Sequence, residues 1–401
     1  MEGEHCQYFV ERKKRYCRMT VKKNNRFCGE HQPNQSENLS KKRRIVCPLD
    51  FTHTCYENKL SKHLKVCNAK IKDEPAYIVK GINLGDVDLI QPTHIRLSLI
   101  DPSTVNSVID KINSAYDHLP EISELILSHE VLTEELNNPT YGHAARRHLL
   151  QNSSLLGHLE NSQLIQDNTC FIEFGAGRGK LTYWLAQAIK GQSGSSILLV
   201  DRSSHRHKKD NKLKNEDNSL NVKRIRADIA DLKLNKVEEI GESNSIVGIA
   251  KHLCGCATDL TLRCLAKHDE PSCKVNGLII AFCCHHRCEY SSYVGKEYLQ
   301  TCNFSADEFP ILCSIASWAT CGFEKNAKPK SHDVTCEQKE KLENDLKIFK
   351  EREEMGRKVK MLLNWGRLEF LKNAGFDCRI VYYTSMDASL ENVCIIAKLD
   401  N

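Results

Sequence analysis

The sequence lacks any long hydrophobic run. Among its 401 residues, no stretch approaches the ~20 consecutive apolar residues that a membrane-spanning helix requires. The N-terminal residues also lack the apolar core of a secretory signal peptide, because charged residues interrupt them. These absences argue against a membrane protein and against a secreted one. We expect the chain to act inside the cell, in the nucleus, the cytoplasm or both.

Cysteine is abundant even though no secretory signal is present, since the chain has 20 cysteines. In an intracellular protein this number argues against a disulfide framework and for reduced thiols, some of which bind metal. The hydrophobic fraction of 40% is enough to fill a core. The length suits one catalytic domain with accessory modules.

The chain is organised around a glycine-rich stretch, FIEFGAGRGK, at residues 171–180. A short apolar run leads into it, and apolar residues at helical spacing follow. This pattern predicts a strand, a tight turn and a helix, the opening unit of a doubly wound sheet that binds ligands at the start of the helix. Gly175 and Gly177 allow the backbone to approach a ligand closely.

Acidic residues around this turn indicate the ligand. Glu173 precedes the glycines, and Asp201 ends the next predicted strand, where a carboxylate can hydrogen-bond ribose hydroxyls. The pattern E-x-G-x-G-x-G resembles the S-adenosylmethionine site of class I methyltransferases more than a dinucleotide site. The resemblance implies that Asp228, just past the third strand, meets the adenine amino group. Another nucleotide ligand and a purely structural glycine turn are the alternatives.

Positive charge is concentrated near the N-terminus. Residues 1–72 hold 17 lysines and arginines against 7 acidic residues, a net charge of +10, whereas the remainder carries −5. A concentrated basic segment is where a polyanion would be held, and its clustering with metal-type cysteines favours nucleic acid. A solvated charged face is the alternative.

A first zinc site is predicted from Cys6, Cys17, Cys28 and His31, which have the spacing C-x10-C-x10-C-x2-H. Four thiolate and imidazole ligands complete a closed tetrahedral site. A segment this short and polar cannot fold on buried area alone. We therefore expect the metal to supply the folding energy of a module at residues 1–35.

A second zinc site is predicted further along the chain. Its four ligands have the spacing C-x5-H-x9-H-x3-C and are Cys47, His53, His63 and Cys67. A helix over residues 56–66 would present His63 and Cys67 one turn apart, so that both reach one ion. The spacing resembles the CHHC fingers of certain RNA-binding proteins, including a minor-spliceosome component, and predicts a module at residues 44–70. Cys55 is either a spare thiol or a replacement ligand.

Residues 71–160 are predicted to form a connector and a helical region, with helices at residues 103–116, 122–136 and 141–159. The third of these precedes the first core strand. Class I methyltransferases often place a helix there that covers the cofactor. Residues 161–401 are assigned to the methyltransferase domain.

Chemically active side chains follow the fourth and fifth predicted strands. The fourth delivers KHLCGCATD at residues 251–259, and the fifth delivers CCHHRC at residues 283–288. Because the carboxyl ends of parallel strands border the ligand crevice, both motifs are expected to face one site. Three interpretations are open for these residues. They are a zinc or iron–sulfur site, thiols packed as small apolar residues, and a cationic reaction and substrate site.

The sequence pattern near the end of the chain predicts the last helix and the last two strands of the sheet. A polar insertion is predicted at about residues 324–350, a helix at 362–374 and two strands at 378–383 and 393–399. A helix ending in Ala-Gly-Phe before a terminal hairpin is the usual close of a class I methyltransferase. The predicted fold is α/β, a Rossmann-like methyltransferase with a seven-stranded mixed sheet, preceded by two small zinc-binding modules.

Taken in order, the two fingers and the motifs KHLCGCATD and CCHHRC resemble one eukaryotic family over nearly the whole chain. That family comprises tRNA methyltransferases that modify the ribose 2′-hydroxyl of nucleotide 4 in the acceptor stem. The resemblance implies S-adenosylmethionine-dependent 2′-O-methylation of certain tRNAs, among them glycine, proline and histidine acceptors. The expected partner is the tRNA acceptor stem, and no obligate protein partner is evident.

Three residues are predicted to be catalytic. Lys251 or His252 would remove the proton of the hydroxyl or orient it, and His285 would help to clamp phosphate. An alternative is that His252 only hydrogen-bonds the backbone beneath the site. The K-D-K-E tetrad of several other ribose methyltransferases is not evident. The sequence therefore does not decide whether Lys251 or His252 is the general base.

Two other function classes are considered. One is an RNA-binding adaptor without catalysis, and the intact cofactor motif opposes it. The other is a small-molecule methyltransferase recruited by its fingers, and the basic character of the finger modules opposes that one.

Overall fold

A computed structural model gives the conformation of most of the chain. It describes residues 5–11, 14–21, 25–28, 31, 43–67, 74–85, 92, 96–205, 208–216, 220–241, 243–266, 274–320 and 336–399. The chain forms two compact units, Met1–Pro75 and Ala76–Asn401. The first part of the predicted polar insertion, residues 324–335, lies outside the described residues. The predicted domain borders within the two units stay predictions.

The first unit contains two β-hairpins and a short helix. β1 (Phe9–Val10) pairs antiparallel with β2 (Arg15–Tyr16). β3 (Arg44–Cys47) pairs antiparallel with β4 (Asp50–Tyr56), and α1 (Leu60–Val66) follows. The buried hydrophobic residues described in this unit are cysteines, namely Cys6, Cys28, Cys47, Cys55 and Cys67. The modules thus bury thiols where a larger domain would bury an apolar core.

The second unit is a layered α/β domain. Its strands are β5 (Thr169–Phe174), β6 (Ser196–Asp201), β7 (Asn221–Arg226), β8 (Ser245–Cys254), β9 (Val275–Cys283), β10 (Phe376–Tyr382) and β11 (Val393–Leu399). Its helices are α2 (Pro102–Asp117), α3 (Thr133–Asn137), α4 (His143–Asn161), α5 (Lys180–Ala188), α6 (Asp210–Glu216), α7 (Glu238–Gly241), α8 (Cys256–Ala266), α9 (Lys296–Thr301), α10 (Phe309–Ala316) and α11 (Cys336–Asn373). None of the described helices is both long and apolar enough to cross a membrane.

The strands form one seven-stranded sheet in the order β10–β11–β9–β8–β5–β6–β7. β11 runs antiparallel to both of its neighbours, and the pairs among β5 to β9 are parallel. This is the strand order of a class I methyltransferase, so the predicted fold is confirmed. The order reverses between β5 and β8, and the carboxyl ends of the strands at such a point form the ligand crevice.

Both faces of the sheet are covered, which explains why its strands are continuous apolar runs. Successive side chains of β5 enter opposite layers. Phe171 belongs to the buried cluster that includes Leu155 of α4, and Ile172 belongs to the other buried cluster, which includes Leu371 of α11. Each such fully buried side chain contributes about 1.5–3 kcal/mol. The paired layers hold the carboxyl ends of the strands in fixed positions.

The prediction of a helix over residues 122–136 is wrong for the first half of that range. The structure has a 3₁₀ turn at Glu130–Leu132 followed by α3, and the residues before them are not helical. The Leu125 N–H donates to the Tyr382 carbonyl at 3.0 Å, and His158 Nε2 lies 3.0 Å from the Leu125 carbonyl oxygen. These long-range hydrogen bonds hold the segment against β10 and α4. Tertiary contacts have overridden the local helical pattern.

Candidate active site and metal sites

The glycine-rich turn after β5 has a left-handed backbone. Gly175 and Gly177 have φ angles of 64° and 51°, a region that glycine adopts without steric cost. A Cβ atom at Gly175 would lie 3.0 Å from the His252 carbonyl oxygen. Glycine is therefore needed both for the shape of the turn and for the close approach of β8. This approach places the end of β8, which carries His252, beside the turn.

Glu173, the acidic residue before the glycines, is 4% exposed. Its carboxylate accepts hydrogen bonds from the Thr182 backbone N–H at 2.9 Å and from the Thr182 hydroxyl. Burial raises the pKa of Glu173 to about 7. The structure thus places Glu173 beneath the turn, where it ties the start of α5 to the end of β5.

The two predicted carboxylates follow the neighbouring strands. Asp201, at the end of β6, accepts a hydrogen bond from the Gly177 N–H at 2.7 Å. Asp228, just beyond β7, accepts one from the Ala230 N–H at 3.1 Å. Asp201 also accepts from the Ser203 N–H at 2.7 Å and lies 3.2 Å from His205 Nε2. A carboxylate has about four acceptor positions, so each of the two retains at least one for a ligand.

These positions suit S-adenosylmethionine. The turn exposes backbone beside β8, and carboxylates stand at the ends of β6 and β7, where ribose hydroxyls and an amino group require acceptors. Asp201 fixes Gly177 directly, so these two residues form one unit. Sequence patterns alone had placed Glu173, Gly175, Gly177, Asp201 and Asp228 around one ligand, and the structure brings them to the same edge of the sheet.

Asp201→Ala is expected to weaken the binding of S-adenosylhomocysteine by about 10- to 100-fold. The variant loses a charged acceptor and the hydrogen bond that fixes Gly177, and hydrogen bonds to charged groups contribute about 1.5–3 kcal/mol. Isothermal titration calorimetry measures the affinity. Asp110→Ala, which removes a carboxylate on the outer face of α2, is the matched control. An unchanged affinity in Asp201→Ala would remove Asp201 from the site.

Lys251 lies near the end of β8 with its ammonium group against α4. Its Nζ donates to Asn152 Oδ1 at 2.8 Å and to the His148 carbonyl at 3.1 Å. Burial, together with the positive charge of Lys180, lowers the pKa of Lys251 to about 7. Neutral amine is therefore abundant near neutral pH, and the side chain is suited to accept a proton.

His252 is the next residue and faces the same helix. Its ring lies edge-on to that of His148, with the centroids 6.4 Å apart. Burial by its neighbours and the charge of Lys251 lower the pKa of His252 to about 4, although the residue still reaches solvent. A neutral imidazole here can orient a hydroxyl group by accepting its hydrogen bond.

His285, the third predicted catalytic residue, lies elsewhere. It is 1% exposed, and its Nε2 donates to Asn364 Oδ1 of α11 at 2.7 Å. Burial lowers the pKa of His285 well below its usual range. Within the described part of the chain, no contact joins it to Lys251 or His252. The structure brings those two residues together and sets His285 apart, beneath the loop that follows β9.

The loops that carry the two motifs nevertheless touch. Cys254 and Cys283 are register partners at the ends of β8 and β9. Gly255 has a φ of 57°, and a Cβ atom there would overlap the Arg287 carbonyl. Glycine is required at this position because the two loops pack backbone to backbone. The two motifs therefore meet at one edge of the sheet, whereas the prediction that their side chains face one site stays a prediction.

Sequence reasoning missed two residues of α11 that support this edge, Asn364 and Arg367. Arg367 of α11 forms a two-point ion pair with Asp259, with N···O distances of 2.8 and 3.0 Å. It also donates to Asn364 and to the Cys288 thiol. The sequence did contain a signal for these residues. Polar side chains four and three positions apart lie on one face of a helix, and this spacing is found at Lys360, Asn364 and Arg367.

The four predicted ligands of the first zinc site converge. The ligand atoms of Cys6, Cys17, Cys28 and His31 all lie within 4.8 Å of one another. The His31 Nδ1 atom is 3.4 Å from Cys28 Sγ and 3.5 Å from Cys6 Sγ. The ring of His31 stacks on that of Tyr8 with centroids 4.0 Å apart. The donor set is that of a closed structural zinc site.

The four predicted ligands of the second zinc site converge in the same way. The Sγ atoms of Cys47 and Cys67 are 3.7 Å apart, and the His63 Nε2 atom is 3.1 Å from Cys47 Sγ. His53 Nδ1 lies 3.3 Å from an oxygen of Asp50, which fixes the ring so that Nε2 faces the cluster. Cys55 is not part of this cluster.

Three family models match consecutive parts of the chain. Residues 4–32 match the CCCH zinc finger of TRM13 proteins, and residues 44–68 match the CHHC zinc finger of the U11-48K type. Residues 150–398 match the methyltransferase TRM13.

The chain belongs to the TRM13 methyltransferase family. Full-length relatives agree with this assignment. The "tRNA:m(4)X modification enzyme TRM13 homolog" of Mus musculus is 36% identical over 98% of this chain and 94% of its own length. The corresponding Homo sapiens protein is 35% identical with the same coverage. The TRM13 enzyme of Saccharomyces cerevisiae is 29% identical over 98% of this chain and 96% of its own length.

Membership in TRM13 settles several predictions. The chain is a methyltransferase, and S-adenosylmethionine is confirmed as its cofactor by the family match together with the class I strand order. The zinc of the two modules is confirmed by the finger matches and by the ligand clusters. The family resemblance inferred from the motifs is therefore correct.

Proposed function

We propose that this protein methylates the ribose 2′-hydroxyl of nucleotide 4 in the acceptor stem of certain tRNAs. The names of its relatives, which describe modification of tRNA at position 4, support the substrate. The ribose hydroxyl as the acceptor follows from the family resemblance. The observation that supports it is Lys251 beside the cofactor turn, a lysine held by Asn152 and the His148 carbonyl and able to take a hydroxyl proton. Glycine, proline and histidine tRNAs are proposed as substrates by resemblance.

A ribose hydroxyl is a weak nucleophile, so the protein must align it and provide a place for its proton. S-adenosylmethionine, when bound, supplies the electrophilic methyl group. Alignment alone can lower a barrier by up to about 7–11 kcal/mol in favourable cases. A positioned base typically adds about 10²–10⁴-fold.

Lys251 is proposed as the base. A lysine with the ordinary pKa of about 10.4 would be neutral in only about one molecule in 2,500 at pH 7. With a pKa of about 7, about half of the Lys251 side chains are neutral at that pH. The hydrogen bonds to Asn152 and to the His148 carbonyl hold the nitrogen in one place. The neutral amine can then take the hydroxyl proton as the methyl group is transferred.

His252 is proposed to orient the hydroxyl. With a pKa of about 4 it is a weaker base than Lys251 but is neutral throughout the physiological range. It stands next to Lys251 and reaches solvent, so an entering ribose can meet its ring nitrogen.

The first zinc module is proposed to hold the tRNA backbone. Arg15, Arg18 and Arg26 are exposed, and Tyr16, which follows Arg15 in the chain, is 64% exposed. Cations interleaved with an aromatic ring suit phosphates and unpaired bases. Binding of this kind weakens steeply with salt because each phosphate contact releases counterions.

Incubation with S-adenosylmethionine carrying a labelled methyl group and total tRNA tests the activity. We expect label in a subset of tRNAs, recovered after digestion as a 2′-O-methylated nucleoside from position 4. Label in protein or small molecules with none in tRNA would contradict the proposal. The Lys251→Ala protein, which should bind the cofactor normally, serves as the control for contaminating activity.

A further inference from the structure

A third cluster of thiols lies outside the two zinc modules, at the carboxyl edge of the sheet. Cys254 ends β8, Cys283 ends β9 and Cys284 follows directly. Their Sγ atoms all lie within 4.8 Å of one another. Neither the cofactor site nor the proposed base uses any of the three thiols.

The sulfur spacing matches that of a metal–thiolate site. A zinc–sulfur bond of about 2.3 Å places two ligands of a regular tetrahedron about 3.8 Å apart. The Cys254 and Cys283 Sγ atoms are 3.8 Å apart. The corresponding sulfur pairs of the two modules, Cys47 with Cys67 and Cys17 with Cys28, are 3.7 and 4.0 Å apart.

The backbone gives a second, independent observation. Successive side chains of a strand point to opposite faces, so Cys283 and Cys284 would diverge if β9 simply continued. Cys284 instead has φ 52° and ψ 42°, a left-handed conformation that is sparsely populated by residues other than glycine. This turn brings its sulfur to the same side as that of Cys283. Strained backbone of this kind persists where the surroundings enforce it, often at functional sites.

The surroundings of Cys284 do enforce the turn. Its N–H donates to Glu391 Oε1 at 3.3 Å. The same carboxylate oxygen accepts from Lys360 Nζ at 2.8 Å, and Lys360 is 7% exposed. A largely buried ion pair on two other elements thus holds the residue in place.

The neighbouring cysteines are excluded from the cluster. Cys288 is buried, and its Sγ accepts a hydrogen bond from Arg367 at 3.1 Å. Cys256 begins α8 and does not share the sulfur cluster. The possible metal ligands among the cysteines of the two motifs are thereby reduced to three.

We propose that Cys254, Cys283 and Cys284 bind a third ion, Zn²⁺, with three thiolate ligands and the fourth position open to a solvent or substrate atom. An open position is what distinguishes this donor set from the closed sites of the modules. Cys254 is exposed, so the ion can enter from solvent. The ligands come from both motif loops, and the ion would therefore join the end of β8, which carries Lys251, to the end of β9.

Metal analysis of the purified full-length chain tests this directly and does not depend on methyl transfer. We expect three zinc ions per chain in the unaltered protein and two in the Cys254→Ala/Cys284→Ala variant. The matched control is Cys256→Ala/Cys302→Ala, which removes two thiols outside the cluster and should retain three ions. Two ions per chain in the unaltered protein would overturn the proposal, whether or not the variant folds. Three ions in the Cys254→Ala/Cys284→Ala variant would also overturn it.

Discussion

Lys251→Ala should slow methyl transfer by about 10²–10⁴-fold, the usual contribution of a positioned base. The loss should appear in the rate of the chemical step and leave the affinity for S-adenosylhomocysteine nearly unchanged, because Lys251 contacts α4 rather than the glycine turn. Single-turnover methylation with saturating tRNA and cofactor measures that step. Lys236→Ala, at an exposed lysine beyond β7, is the matched control.

The role of Lys251 as the base also predicts how the rate of methyl transfer changes with pH. Protonated Lys251 cannot accept a proton, so the single-turnover rate should rise with pH through about 7 and level off above it. Lys180 opposes protonation and Glu173 favours it, while His148 and His252 also face the amine. The pKa of Glu173 is itself about 7. The midpoint of the pH–rate profile therefore reports the joint titration of Lys251 and Glu173.

The Lys251→Ala variant should lose most of this rise, whereas His252→Ala should keep it and lose rate at every pH. Near-normal rates in both variants, with tRNA bound, would place the base elsewhere.

The largest effect on stability is expected from Asp259→Ala, which should lower the free energy of unfolding by about 3–5 kcal/mol. The side chains of Asp259 and Arg367 are 0% and 1% exposed, so removing the carboxylate leaves a guanidinium charge buried without its partner. The same Asp259 carboxylate accepts from the Val294 N–H at 3.4 Å. Urea denaturation followed by tryptophan fluorescence measures the change. The chain's three tryptophans, Trp184, Trp318 and Trp365, all lie in the second unit.

A second variant separates the ion pair from a general effect of mutation. Asp259→Ala combined with Arg367→Met should cost less than the sum of the two single changes, because neither charge is then left alone. Glu216→Ala removes one partner of the exposed Lys212–Glu216 pair and should change stability by less than about 1 kcal/mol. A loss below 1 kcal/mol in Asp259→Ala would show that the pair does not hold α11 to the motif loops.

The parts of the molecule that were predictable from sequence are those fixed by local spacing. The two sets of zinc ligands could be identified because a tetrahedral ion demands four donors, and loops of these lengths bring them together. The glycine turn and Asp201 were predictable because strand, turn and helix follow one another within about thirty residues. In each case the residues that meet in space are also close in the chain.

The rest depends on packing between distant segments. His285 was expected in the crevice because it follows β9, but Asn364 of α11 holds it beneath the loop. The extended segment around Leu125 has a helical pattern, yet its hydrogen bonds go to Tyr382. Neither outcome could be derived from spacing, since each is decided by a partner more than seventy residues away.

The central claim, methylation of a ribose hydroxyl at nucleotide 4, is tested most directly with two synthetic tRNAs that differ in one atom. One carries ribose at position 4 and the other carries 2′-deoxyribose, and both are incubated with the protein and labelled S-adenosylmethionine. The account predicts that the first is methylated at position 4, whereas the second binds with similar affinity and takes up no label. Equal labelling of the deoxy substrate would show that the 2′-hydroxyl of nucleotide 4 is not the methyl acceptor and would contradict the account.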